Sequence, residues 1–325
     1  MQLKPIAFAV RKSVLPKNIF IAILYILVLI CLAVGVISFI SAWKITHPAK
    51  ITTPQISSNI APDYKNISFY CSVSKEKLNG WFFPSLGSKT TVLMVHSYGH
   101  NRLEFDEETF RLISRLNNEK LNVMTFDLRG SGNSAGSIST FGNNETIDVT
   151  TAIKYLKQQG TENIILMGFS TGANASLAAL SQSPYRASIL GVIADSPFSK
   201  IDSYIDYVID ENSILPEMPF RYTTGFFVEK LTKVSQEMDM IPQIPSIIPT
   251  PLLIIDGAQK ELNTSSNSKL LYELYYRKSP VPVHYWNSGA TEYGKSFIAA
   301  PDLYMDKVVK FISDCLAEAG IKAGK

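Results

Sequence analysis

The chain has 325 residues, 46% of them hydrophobic, and 31 basic against 28 acidic side chains give a net charge of only +3. That length allows one large domain with a substantial core, and scattered, near-neutral charge removes the electrostatic case for nucleic acid. Cys31, Cys71 and Cys315 form no disulfide framework and no metal-ligand spacing occurs, so neither a metal nor another cofactor is expected.

From Asn18 to Trp43 there are 26 residues without a charged side chain. At helical rise this exceeds the roughly 30 Å hydrocarbon core of a bilayer. Residues 18–43 are therefore read as one transmembrane signal anchor. A cleavable signal peptide is the competing reading, but its apolar region would be about 7–15 residues and no small-x-small site follows here. Lys4, Arg11, Lys12 and Lys17 precede the span, whereas Lys44, Lys50 and Lys65 follow it with Asp63 among them. The positive-inside rule then puts residues 1–17 in the cytoplasm and the large domain outside the cell membrane. Residues 44–66, with Pro48, Pro54 and Pro62, read as a polar tether.

Residues 67–325 alternate short β-rich runs with helical patterns. Strands are predicted at 67–74, 80–84, 90–96, 123–126, 164–167, 189–194, 252–255 and 281–286. Helices are predicted at 106–117, 147–156, after Ala173, and at 268–276 and 303–316. Fully apolar strands between helices imply a doubly wound, mostly parallel α/β sheet covered on both faces. Residues 196–250 interrupt the alternation. Ile201, Tyr204, Ile205, Val208 and Ile209 oppose Asp202, Asp206 and Asp210 in one amphipathic helix, and a second candidate covers 224–234. An insertion at the carboxyl ends of parallel strands is either a lid over a site or an ordinary packing excursion.

The chemistry concentrates in Gly168-Phe169-Ser170-Thr171-Gly172, which follows an apolar strand and opens a small-residue helix. A serine at such a turn is held in strained geometry with its hydroxyl out of the sheet. The helix N-terminus behind it offers free N–H groups where an oxyanion would form.

Taken with three further motifs, this resembles the α/β-hydrolase superfamily. The nearest likeness is to its dienelactone-hydrolase-like and serine-aminopeptidase-like branch, which includes membrane-anchored bacterial proteins. The motifs are His96-Ser97-Tyr98-Gly99, Asp127-Leu128-Arg129-Gly130-Ser131-Gly132-Asn133-Ser134, and Asp195-Ser196-Pro197. The resemblance implies Ser170 as nucleophile and the amides of Thr171 and Tyr98 as oxyanion donors. Ser97 stands where the family has Gly, and its Cβ restricts that turn. The loop 127–134 is read as structural, with Arg129 satisfying carbonyls.

The supporting acid and base depart from the family. Lys260 stands where the acid is expected after the seventh strand, and Glu292 where histidine is expected after the eighth. Their side chains would meet as an ion pair beside the serine. Of four histidines, His100 is the substitute base to consider, with Asp195 as a substitute acid. Two functions stay open. One is a membrane-anchored serine hydrolase acting on small esters, acyl groups or peptides. The other is a catalytically inactive hydrolase-fold protein that binds a ligand or partner in the old cleft.

Overall fold

The computed structural model describes residues 16–53, 61–212, 216–234, 239–257, 264–290 and 294–321. Helix α1 (Lys17–Thr46) is 30 residues long and apolar enough to cross a membrane. Its last turns do not float free. Ser38, Ala42, Ile45 and Thr46 are buried, Ser139 N–H donates to the Thr46 carbonyl at 2.8 Å, and Lys50 Nζ donates to the Ser134 carbonyl at 2.6 Å. The expected tether thus begins as helix packed on the domain, because its apolar positions continue the helical stripe. Residues 54–60 of that tether lie outside the described residues.

Eight strands form one sheet: β1 (Lys65–Tyr70), β2 (Lys77–Phe83), β3 (Thr90–Val95), β4 (Asn122–Phe126), β5 (Asn163–Phe169), β6 (Ile189–Asp195), β7 (Leu252–Asp256) and β8 (Val283–Asn287). Their order is β1-β2-β4-β3-β5-β6-β7-β8. The β1–β2 and β2–β4 pairs are antiparallel and all later pairs parallel. β3, β4 and β7 are buried at every position, as a sheet covered on both faces requires.

On one face α3 (Glu145–Gln158), α4 (Thr171–Gln182), α7 (Met240–Ile247) and α8 (Thr264–Tyr276) bury Val149, Leu177, Ile244 and Leu271. On the other, α2 (Thr109–Asn118) and α10 (Pro301–Glu318) bury Leu112, Ile113, Val308 and Ile312. Each buried set recurs at three- and four-residue spacing, the mark of a helix covering a sheet.

Between β6 and β7 lie α5 (Ile201–Asn212), α6 (Glu217–Thr232) and α7. The apolar side of α5 packs with Ala42 and Ile45 of α1, Phe141, Phe198 and Val228. Two details differ from the sequence reading. α6 begins earlier than the predicted 224–234, and α7, with Pro245 inside it, was not among the predicted helices. Burial of Met240, Ile244 and Ile247 outweighs the lost donor at Pro245.

Candidate active site

Ser170 sits where β5 hands over to α4, at φ 50° and ψ −115°. A non-glycine residue there carries roughly 1–3 kcal/mol of strain. It is held by Ser170 N–H donating to the Asp195 carbonyl at 2.8 Å, while the Ser170 carbonyl accepts from Ala173 and Asn174 N–H. Gly172 makes the elbow possible, since a Cβ on it would lie 2.3 Å from the Val95 carbonyl oxygen. The Ser170 Oγ is buried without a hydrogen-bond partner among the described residues. It opens into a cavity of about 200 Å³ that Ser97, His100, Glu104, Tyr204 and Lys295 also line.

The histidines separate by position. His96 is locked in place: its Nε2 accepts from Leu128 N–H at 3.0 Å, so its Nδ1 carries the proton and donates to the Ser97 carbonyl at 2.7 Å. Burial lowers its pKa and keeps it neutral. His47 stacks on Trp43 of α1 at 3.9 Å, and His284 is exposed on β8. Only His100 lines the cavity.

Asp195, at the end of β6, is fully buried and accepts hydrogen bonds from Ser196 Oγ at 2.9 Å and Tyr304 Oη at 2.8 Å. Both carboxylate oxygens are thus engaged by hydroxyls, and no imidazole contacts them among the described residues. Burial, opposed by these two hydrogen bonds, pushes its pKa up to about 7. The folded state therefore holds a proton that the unfolded chain has lost between the usual 3.8 and about 7. The resulting stability cost is absent at the acid end of that window, grows through it and is complete above it. Asp195→Asn is expected to flatten that decline, read as urea midpoints at pH 5 and pH 8. Asp256, pushed up to about 6 chiefly by burial, leaves a smaller slope of the same sign.

The oxyanion donors are unequal. Tyr98 N–H already donates to Thr171 Oγ1 at 2.8 Å, whereas the Thr171 amide is among those at the start of α4 that the helix itself cannot bond. Tyr98 Oη donates to the Ile45 carbonyl of α1 at 2.7 Å, tying this loop to the N-terminal helix. Lys260 and Glu292 lie outside the described residues.

The loop 127–134 is a scaffold. Asp127 accepts from Arg102 N–H at 2.8 Å and Nε at 3.1 Å and from Asn133 N–H at 2.8 Å. A Cβ on Gly132 would meet its carboxyl group at 2.3 Å. Arg129 forks onto Asp148, at 2.9 and 2.6 Å, in place of the carbonyls expected of it.

Two wall residues escaped the sequence reading. Glu104 is buried, its oxygens taking Ser97 N–H and Ser97 Oγ at 2.7 Å each, which props the turn where the family has Gly. Nothing in its spacing marks it, because the contact closes across a seven-residue loop. Tyr204 was visible as part of an apolar helix face, but not as a neighbour of Ser170. Burial pushes its phenol far above the ordinary range, outweighing the pull of the Ser170 hydroxyl, which is near enough to act on it without meeting hydrogen-bond geometry, so it remains a neutral O–H.

A family model described as serine aminopeptidase, S33, matches residues 87–218. The uncharacterized protein YfhR of Escherichia coli O157:H7 is 26% identical over 200 residues, 61% of this chain, and the chain spans less than two thirds of that relative, 64% of its length. The YfhR of Salmonella typhimurium is 26% identical over 257 residues, 74% of this chain and 78% of the relative. Among solved structures, an esterase of Pyrococcus furiosus superposes with a TM-score of 0.68 at 25% identity, over 83% of this chain and 98% of its own. A carboxyl esterase of Bacillus coagulans shares the fold at a TM-score of 0.59 and 13% identity, over 79% of this chain and all of its own. With the serine elbow on a sheet of this order, the chain has the α/β-hydrolase fold, and residues 87–218, which span that same elbow, are similar to the serine aminopeptidase S33 family.

Proposed function

We propose that the chain is a serine hydrolase of esterase or peptidase type, held at the cell membrane by α1 with its domain on the extracytoplasmic side. Ser170 is the nucleophile and His100 its base. One observation carries this reading: a strained Ser170 leaves its Oγ unpartnered in a cavity whose wall includes one histidine, His100. As Ser170 Oγ attacks an acyl carbon, His100 takes the hydroxyl proton and later returns it to the leaving group. The oxyanion gathers at the Thr171 amide, reinforced by the N-terminus of α4. The neutral Tyr204 hydroxyl is a second donor within the same wall. Water then releases the acyl group by the reverse of these steps. The likeness to esterases of Pyrococcus furiosus and Bacillus coagulans supports small esters or acyl groups as substrates, and the aminopeptidase family model supports peptides.

A second reading, a binding protein with a retired catalytic cleft, is favoured by the hydrogen bond that occupies Tyr98 N–H and by an Asp195 that serves no imidazole. A fluorophosphonate probe separates the two. Labelling of the full chain that Ser170→Ala abolishes supports the hydrolase, and a folded parent protein that takes no label leaves only the binder.

A further inference from the structure

α6 lies lengthwise against the upper part of α1. Ser38 Oγ and Thr223 Oγ1 share a hydrogen bond of 2.6 Å, and Phe39 meets Phe227 edge-on at 5.6 Å. Ala42 and Ile45 continue the contact in one apolar cluster with Val228. The contact is therefore in register, with Thr223 and Phe227 level with residues 38–39. That level is one turn, about 6–8 Å, inward of Trp43 along the helix axis. Trp43 is itself exposed and is followed at once by Lys44, the first charge after the apolar run, so this pair marks the membrane–water boundary.

The flank of α6 that turns away from the domain is apolar. Tyr222 is 69% exposed and Phe226 54%, and Met218, at the kink where the helix begins, is 66% exposed. Lys230 reaches over the Phe226 ring at 5.4 Å, an apolar stem with its charge free to reach the headgroups. Arg221, two residues before Thr223, is instead neutralised by pairing with Asp210 and Glu217. Phe39, Ile40 and Trp43 on the neighbouring side of α1 are also exposed. Lipid that surrounds α1 at residues 38–39 must meet α6 at the same depth.

We propose that α6 is an interfacial helix whose Met218, Tyr222 and Phe226 flank is covered by the lipid leaflet from which α1 emerges. A large hydrophobic flank beside a cation at headgroup level is the composition such helices use. The consequence reaches the catalytic cavity, because Tyr204 and Val208 of its wall share the apolar cluster that joins α5, α6 and α1. The cap over Ser170 is then seated on the membrane surface and not suspended above it.

The inference rests on α1 crossing the bilayer, and one label tests that premise separately. The full chain is reconstituted in phosphatidylcholine–phosphatidylglycerol vesicles with a nitroxide on the native Cys31, the exposed cysteine of the span. In a Cys31→Ser background the label is moved through Met218→Cys, Tyr222→Cys and Phe226→Cys, with Leu303→Cys on α10 as the reference. Collision with oxygen is expected to exceed collision with a nickel chelate several-fold at 31, 218, 222 and 226, and the order to reverse at 303. Chelate access at 222 and 226 equal to that at 303, with position 31 still in lipid, overturns the docking alone. Spin–spin broadening at 222 and 226 that unlabelled chain dilutes away assigns the flank to a second copy, which also overturns it. A chelate-accessible Cys31 removes the anchor and the docking together, without touching the probe chemistry at Ser170.

Discussion

His100→Ala is expected to slow acylation of Ser170 by about 10⁴-fold or more while the domain stays folded. A serine hydroxyl is a poor nucleophile until a base removes its proton, and loss of the histidine costs about six orders of magnitude in turnover in a comparable serine mechanism. His96 cannot step in, since Leu128 N–H and the Ser97 carbonyl occupy both of its ring nitrogens. His47 and His284 lie at the C-terminal end of α1 and on the β8 edge, away from the cavity wall. Fold is preserved because His100 is only part-buried and its contribution to the turn is its backbone N–H, which donates to the Ser97 carbonyl at 3.3 Å. The check is the second-order rate of fluorophosphonate labelling, measured beside Ser170→Ala. A His100→Ala protein that labels as fast as the parent would place the base on another side chain and end this assignment.

Gly172→Ala is expected to destabilise the domain by about 3 kcal/mol or more and to abolish labelling with it. The added methyl would lie 2.3 Å from the Val95 carbonyl oxygen and 2.4 Å from that of His96. Neither can swing aside as a side chain could, because both belong to the backbone where β3 ends, between β4 and β5. Relief would have to come from lifting α4 off the sheet, which moves Ser170 and the Thr171 amide together. Gly225→Ala is the matched control. Its new Cβ meets only Ile209 Cδ1, at 3.9 Å, and removing a helix-interior glycine typically gains about 0.5–1 kcal/mol. Urea midpoints of the two variants should therefore move in opposite directions. A Gly172→Ala protein with the parent's midpoint would show that the elbow has slack.

Much of this architecture was legible along the chain. The parallel strands announced themselves as unbroken apolar runs, and the paired glycines around Ser170 fixed the sharp turn between strand and helix. The loop from Asp127 to Ser134 was legible as scaffold, though not the partner of its arginine, since Asp148 lies nineteen residues on, in α3. No helix was predicted at α7, whose interior proline is a poor local signal for a helix that packing against α4 supports. After the span, proline and polar residues suggested a tether from residue 44, whereas α1 runs on to Thr46, with Ile45 and Thr46 buried.

The sequence by itself determined the layered α/β sheet and the serine elbow, because each is written in residues close together in the chain. Only the tertiary structure decided what surrounds the Ser170 hydroxyl. Glu104 beneath Ser97, Tyr204 from the cap, and His100 as the one histidine at the wall come from three separate segments. The docking of α6 on α1 is likewise invisible in either helix alone. Periodicity tells which face of a helix is apolar, whereas what that face meets depends on loop closures tens of residues long that no local pattern encodes.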